Sequence, residues 1–215
     1  MKHPVYFMLF ILIVGCKSAK IKESNIESSM HIASIQETMR SKNITNYFIV
    51  QHIQYGLITT VKKGYSKNNV CSPRSNVYYS LYVFWNEDNL SYVQKFDNCG
   101  KFELISFPRS ATHEYYQNYS QDIIDSKVKQ YKVDEKSYTT LNHQPLRYFW
   151  FIKNGETFKT NLNKFDLTTV GNESTWITKP NLNYEFNQNQ PIVKLNEKSE
   201  ELIDLLKKQN KFLRE

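Results

Sequence analysis

The sequence predicts an α+β fold, with one antiparallel sheet built from hairpins and packed with about three helices. Three observations predict it. Asn154-Gly155 separates two β-rich runs. An aromatic run over 77–85 reaches a turn cluster, Asn86-Glu87-Asp88-Asn89, and returns over 90–96. Amphipathic stretches at 26–39, 116–131 and 197–214 alternate with these strand pairs, so that neighbouring strands join by turns and not by long crossovers.

In chain order, 26–39 carries Met30, Ile32, Ala33, Ile35 and Met39 with a moderate helical period. Tyr47-Phe48-Ile49-Val50 and 57–61 read as two strands around Tyr55-Gly56. In the first hairpin a turn centred on Glu87-Asp88 sets Trp85 opposite Leu90 and Val83 opposite Tyr92 on one face. Tyr82 opposite Val93 and Ser80 opposite Lys95 make the other face the wetter one. A strand is expected over 101–107, ended by Pro108. The 116–131 helix places Tyr116, Tyr119, Ile123, Ile124, Val128 and Tyr131 on a broad stripe. Asn154-Gly155 suits a type I′ turn, because both positions need positive φ. It sets Trp150 against Lys159 and Phe151 against Phe158. The Asn-rich 161–191 region reads as a long irregular loop. The last helix, 197–214, is capped by Asn196, with Glu197, Glu200 and Glu201 early and Lys207, Lys208, Lys211 and Arg214 late. That order complements the helix dipole. Leu202, Leu205, Leu206 and Leu213 form its apolar side.

Before the domain lies a different kind of segment. Lys2 and His3 precede an unbroken apolar run over 5–14, about ten residues and half of what a membrane span needs. Ile13-Val14-Gly15-Cys16 closes it. These sixteen residues resemble the lipobox signal of bacterial lipoproteins, with Ile13 in place of Leu and Val14 second. The resemblance implies cleavage before Cys16, diacylglycerol on its sulfur and acylation of the new amino terminus. Several chains anchor stably where one is marginal. The chain then divides into a signal peptide (1–15), a lipidated Cys16 with a polar tether (16–25) and one α+β domain (26–215). No Asp follows Cys16 and no acidic cluster follows it. By the same resemblance this favours the outer membrane, facing the periplasm. The competing readings are a start-of-domain strand with a buried cysteine, and ordinary secretion.

Export agrees with the cysteines. Cys71 and Cys99 remain once Cys16 is lipidated, and in an oxidising compartment they are expected to pair. The loop of about 29 residues is worth roughly 3–4 kcal/mol in the chain-entropy model. The bridge would staple the Ser72-Pro73-Arg74 turn to the open end of the first hairpin. Two isolated cysteines make no metal set, and their spacing is unlike a redox C-x-x-C pair.

The net charge of +7 comes from 28 Lys+Arg against 21 Asp+Glu. Only Arg40, Arg74, Arg109, Arg147 and Arg214 are arginines, and the lysines are scattered. That argues against a nucleic-acid surface, which favours the arginine fork and a basic stripe. No nucleophile elbow, His-Glu-x-x-His or phosphate-binding glycine loop occurs, and no metal or cofactor is called for. Of His31, His52, His113 and His143, only His113-Glu114, beside Tyr115 and Tyr116, makes a local group with acid–base potential. Fifteen Tyr and 13 Phe leave an aromatic surplus. Tyr78, Tyr82, Tyr115, Tyr116 and Trp176 are the candidates for a solvent-facing binding patch. The expected role is a non-catalytic module that binds a protein or envelope partner from its lipid anchor, as an envelope-complex subunit or a toxin-immunity lipoprotein. The alternative is a periplasmic hydrolase or small-ligand-binding protein. Catalysis there would need a pocket in which a histidine meets Asp or Glu.

Overall fold

The computed structural model describes residues 16–55, 77–141, 145–171 and 177–215. The segment 1–15, the 57–61 strand, Cys71 with its neighbouring turn, His143 and Trp176 lie outside the described residues. The fold is α+β, with a seven-stranded antiparallel sheet. In chain order the strands are β1 (Asn46–Tyr55), β2 (Val77–Glu87), β3 (Leu90–Asp97), β4 (Gly100–Lys101), β5 (Ile105–Pro108), β6 (Leu146–Lys153) and β7 (Glu156–Asn163). The helices are α1 (Cys16–Ser41), α2 (Ala111–Asp125), α3 (Tyr184–Gln188) and α4 (Pro191–Lys208). The sheet runs β4-β3-β2-β1-β6-β7, with β5 also on β3.

Helices cover both faces of this sheet. Odd-numbered residues of β1 and β2 (Tyr47, Ile49, Ile53, Tyr79, Leu81, Val83) pack beneath Ile32, Ile35 and Met39 of α1. Even-numbered residues (Phe48, Val50, Tyr82, Phe84), with Val93, Phe149 and Phe151, form the larger core under α2 and α4. The supposedly wetter face of the first hairpin is therefore the main core. Phe48 shows the packing: fully buried, it stacks on Phe84 at 4.6 Å and lies 4.7 Å from the Tyr116 ring. Burying a side chain of this size is worth about 2–3 kcal/mol.

α1 begins at Cys16, about ten residues before the apolar stripe, so the expected tether is helical. Neither Gly nor Pro interrupts 17–41, and Ala, Lys and Glu there favour helix. The buried stripe is Ser28, Ile32, Ile35 and Met39, at i, i+4, i+3 and i+4, whereas Met30 and Ala33 face solvent. Asn43, at φ 58°, ends α1. The Ile44 N–H donates to the Met39 carbonyl at 2.9 Å and the Asn43 N–H to that of Arg40 at 3.0 Å. This is the Schellman closure, with Ile44 and Met39 in its hydrophobic contact.

The second hairpin matches its expected register, Trp150 opposite Lys159 and Phe151 opposite Phe158, with Asn154 at φ 52° and Gly155 at 87°. The first hairpin turns one residue later than expected. Asp88 (φ 48°) and Asn89 (φ 64°) take the left-handed positions, which their short polar side chains tolerate. Pairing slides by two residues, to Trp85 opposite Tyr92 and Val83 opposite Gln94, so every side chain keeps its face. The reward is a Trp85–Tyr92 stack at 5.1 Å. The 101–107 strand is two short pieces, β4 and β5, both on β3. Between them Phe102 bridges to Arg214 of the C-terminal tail.

α2 starts earlier than expected, with Ser110 as its cap, bends at Tyr119 and stops at Asp125. Val128 and Tyr131 continue the apolar stripe, but outside the helix. Side-chain oxygens take up their stretch's backbone donors. Gln190, Asn187, Asp166 and Asn181 accept from the N–H groups of Lys127, Lys129, Tyr131 and Lys132 at 2.8–3.2 Å. The Asn-rich region is thus an ordered clamp. Asn187 also donates to the carbonyls of Lys129 (2.8 Å) and Asp166 (2.9 Å) and is fully buried. α4 begins six residues before Glu197, with Pro191 in its first turn, where a missing N–H costs nothing. Asn196 is not its cap. It sits inside the helix, buried, among Ile192, Val193, Leu195, Ser199, Ile203 and Leu206. Leu205 and Leu213 are exposed.

Candidate functional site

A cavity of about 380 Å³ opens at one end of the main-core face of the sheet, beneath α2. Its size falls within the range of small-molecule sites. The sheet contributes Asn46, Phe84, Asn86 and Lys153, from the ends of β1, β2 and β6 that gather there. α2 contributes His113, Tyr116, Gln117 and Ser120, at helical spacings of three and four. Among the described residues no carboxylate lines it.

His113 is buried and doubly engaged. Its Nε2 lies 3.0 Å from the Tyr92 carbonyl, which can only accept, so Nε2 carries the proton. Nδ1 then accepts from the Ser110 hydroxyl. Burial lowers its pKa from the ordinary 6.5 to about 4, although the Tyr92 bond pulls the other way. The ring is a neutral strut tying α2 to β3, and no acid meets it. His113 and Glu114, adjacent in sequence, are not brought together, because α2 turns Glu114 outward to solvent while His113 faces the core.

Where a histidine does meet an acid, the setting is different. At the opposite end of the same sheet face, His52 Nε2 lies 3.3 Å from Glu200 Oε1, which Arg147 Nε holds at 2.6 Å and Lys164 Nζ approaches at 3.6 Å. Burial first, then the charges of Arg147, Lys207 and Lys164, push the His52 pKa far down and keep the ring neutral. The 3.3 Å approach is poorly aligned, leaving Nε2 without a hydrogen bond. This group docks α4 onto the sheet and lines neither this cavity nor a smaller one of about 180 Å³ near Gln36 and Thr157. Among the described residues no histidine meets an Asp or Glu at either cavity. Among the described residues no group of three or more His, Cys, Asp and Glu is placed to hold a metal ion.

Among the described residues the expected aromatic patch does not come together as one exposed surface, and Trp176 lies outside them. Tyr82 and Tyr116 are core residues, 2% and 8% exposed, and their hydroxyls are held well above the usual range by burial. Tyr78 is half-buried and donates to Asp97 at 2.8 Å, and burial raises its pKa to about 12. Tyr115 alone meets an exposed neighbour, Tyr119, at 4.8 Å. β2 carries apolar residues on both faces, so its alternation could not tell core from surface. Cys99 is disulfide-bonded, while Cys71 lies outside the described residues.

Sequence reasoning missed two features. Asp97 is a buried acid that accepts from Arg214 Nη1 at 3.0 Å and Nη2 at 2.6 Å, from the Tyr78 hydroxyl and from the Cys99 N–H. Lys95 lies 4.1 Å over the Phe102 ring, and burial, opposed by Asp97, lowers its pKa to about 8. No local spacing announces either group, because the partners come from β2, from 95–102 and from the C-terminal tail.

No known protein family matches the chain, and neither a curated protein nor a solved structure matches it. Among the described residues no helix is long and apolar enough to cross a membrane.

Proposed function

We propose that this chain is a lipid-anchored binding module of a bacterial cell envelope, non-catalytic, held by acyl chains on Cys16 and facing the periplasm from the outer membrane. One observation carries the reading: a basic start, about ten apolar residues and Ile13-Val14-Gly15-Cys16, in that order. A bridge between Cys71 and Cys99 fits the same oxidising compartment. The helical start of α1 gives the anchor a specific mechanical form. From Cys16 to Ser28, a residue buried against the domain, the helix rises about 18 Å at 1.5 Å per residue. A rod of that length would hold the domain at a set distance from the bilayer, near the partner it serves. The test is Cys16→Ser expressed in the native host. Membrane fractionation and fatty-acid labelling should both be lost while the domain still folds. Intact mass showing an uncleaved, unmodified amino terminus on cytosolic wild-type protein would refute the anchor.

A further inference from the structure

We propose that the cavity beneath α2 binds a small oxyanion, a carboxylate or phosphate carried on a compact organic body. The inference deepens the binding-module reading and rests on it, but it does not depend on the anchor. It starts from which hydrogen-bonding groups are already spent. Ser91 Oγ accepts from the Ser110 N–H at 3.1 Å, so its own proton goes to Asn86 Oδ1 at 2.9 Å. This orients the Asn86 amide and leaves its N–H₂ group available. Arg109 can only donate, and it contacts Gln117 Oε1 at 3.2 Å, which leaves the Gln117 N–H₂ available in the same way. Both amides therefore offer donors to the cavity they line. The His113 nitrogens are both occupied, and the Tyr116 hydroxyl is directed at the Tyr47 carbonyl at 3.4 Å. These groups supply wall, not competition.

Lys153 supplies the charge. Its ammonium reaches only the neutral oxygens of Ser120 at 3.3 Å and Gln121 at 3.5 Å, the weak end of the hydrogen-bond range, and pairs with no carboxylate among the described residues. Lys101, Lys164, Lys179 and Lys207 each have an acid within 4 Å while other described lysines such as Lys159 and Lys194 do not, and Lys153 is set apart by lining the cavity. A cation without a counter-charge, two oriented amide donors and a hydroxyl, around a recess with no acid, select a ligand rich in acceptors and negatively charged. The volume of about 380 Å³ limits that ligand to a small molecule.

The experiment is calorimetric titration of the full mature chain in non-ionic detergent with methyl phosphate, with succinate and with glycerol as a neutral control. At least one of the two anions should bind saturably in the millimolar range or tighter while glycerol does not, and the anion that binds names the source. Lys153→Gln should weaken binding about tenfold or more, the loss expected for one charge-assisted hydrogen bond. Gln117→Glu, at an exposed helix position where folding is not at stake, should do the same by placing an acid at the rim. No binding of either anion, or equal binding by wild type and both variants, overturns the proposal. That outcome leaves the anchor standing, since the anchor is read by fractionation and lipid labelling. A cytosolic, unmodified chain that still bound anions would sink the anchor alone.

Discussion

Arg214→Met tests the buried pair that ties the C-terminal tail to the sheet. The Asp97 side chain is 1% exposed, and Arg214 supplies two of its four hydrogen bonds. Removing one partner of a buried ion pair costs about 3–5 kcal/mol, because the other charge stays buried and unpaired. Two moderating features set the figure here. Tyr78 and the Cys99 N–H still serve the carboxylate, and Arg214 is 25% exposed, so water can enter where the guanidinium was. The low end, about 3 kcal/mol, is the expected loss, or a fall in Tm of roughly 6–12 °C for a domain of this size. Methionine keeps much of the aliphatic stem but gives up the guanidinium's place over the Phe102 ring, 4.4 Å from its centroid. Urea denaturation of wild type, Arg214→Met, Asp97→Asn and the double variant measures the coupling. The double variant should be more stable than Arg214→Met, since it removes the stranded charge. A loss below about 1 kcal/mol for Arg214→Met, or additive effects in the double variant, would show that the pair is not energetically coupled.

The other two predictions concern the clamp and the acid response. Asn187→Ala removes three hydrogen bonds at a fully buried site and strands the Lys129 N–H, so it should cost about 2–4 kcal/mol. Faster hydrogen exchange of the Lys129 amide should accompany it, and an unchanged exchange rate there would contradict the clamp. His52 and His113 both have folded pKa values below the unfolded 6.5. The unfolded chain therefore binds more protons below pH 6.5. Their contribution to stability is complete above that pH and falls as pH drops, for His113 down to about 4. Each neutral ring contributes a slope of about 1.4 kcal/mol per pH unit. His113→Gln should flatten the stability profile between pH 6.5 and 5 by about one proton, and a slope identical to wild type would refute the assignment.

The parts of the fold legible in the sequence were those decided by neighbours along the chain. Asn154-Gly155 specified both turn type and register of its hairpin, because only a few residue types tolerate successive positive φ values. The buried side of α1 was legible in part: the apolar set held the buried Ile32, Ile35 and Met39, but also Met30 and Ala33, which face solvent. The first hairpin was half legible: which residues share a face followed from alternation, but not which face becomes the main core, and the turn came one residue later, where the Trp85–Tyr92 stack forms. The candidate site was hardly legible at all. Asn46, Asn86, Gln117 and Lys153 are unremarkable polar residues until β1, β2, α2 and β6 end at one place.

The sequence by itself determined an antiparallel α+β fold and the chemistry of its turns, since those depend on contiguous residues and on backbone preference. Tertiary structure decided which apolar face became the main core and where α2 stopped. It also decided that Asn181 and Asn187 act as surrogate strands, that His113 is a neutral strut and that Lys153 stands without a counter-charge. The physical reason is the same in each case. A buried polar group takes whatever partner the fold brings within about 3 Å, and that partner is 21 to 58 positions away for His113 and Asn187 and 117 for Arg214.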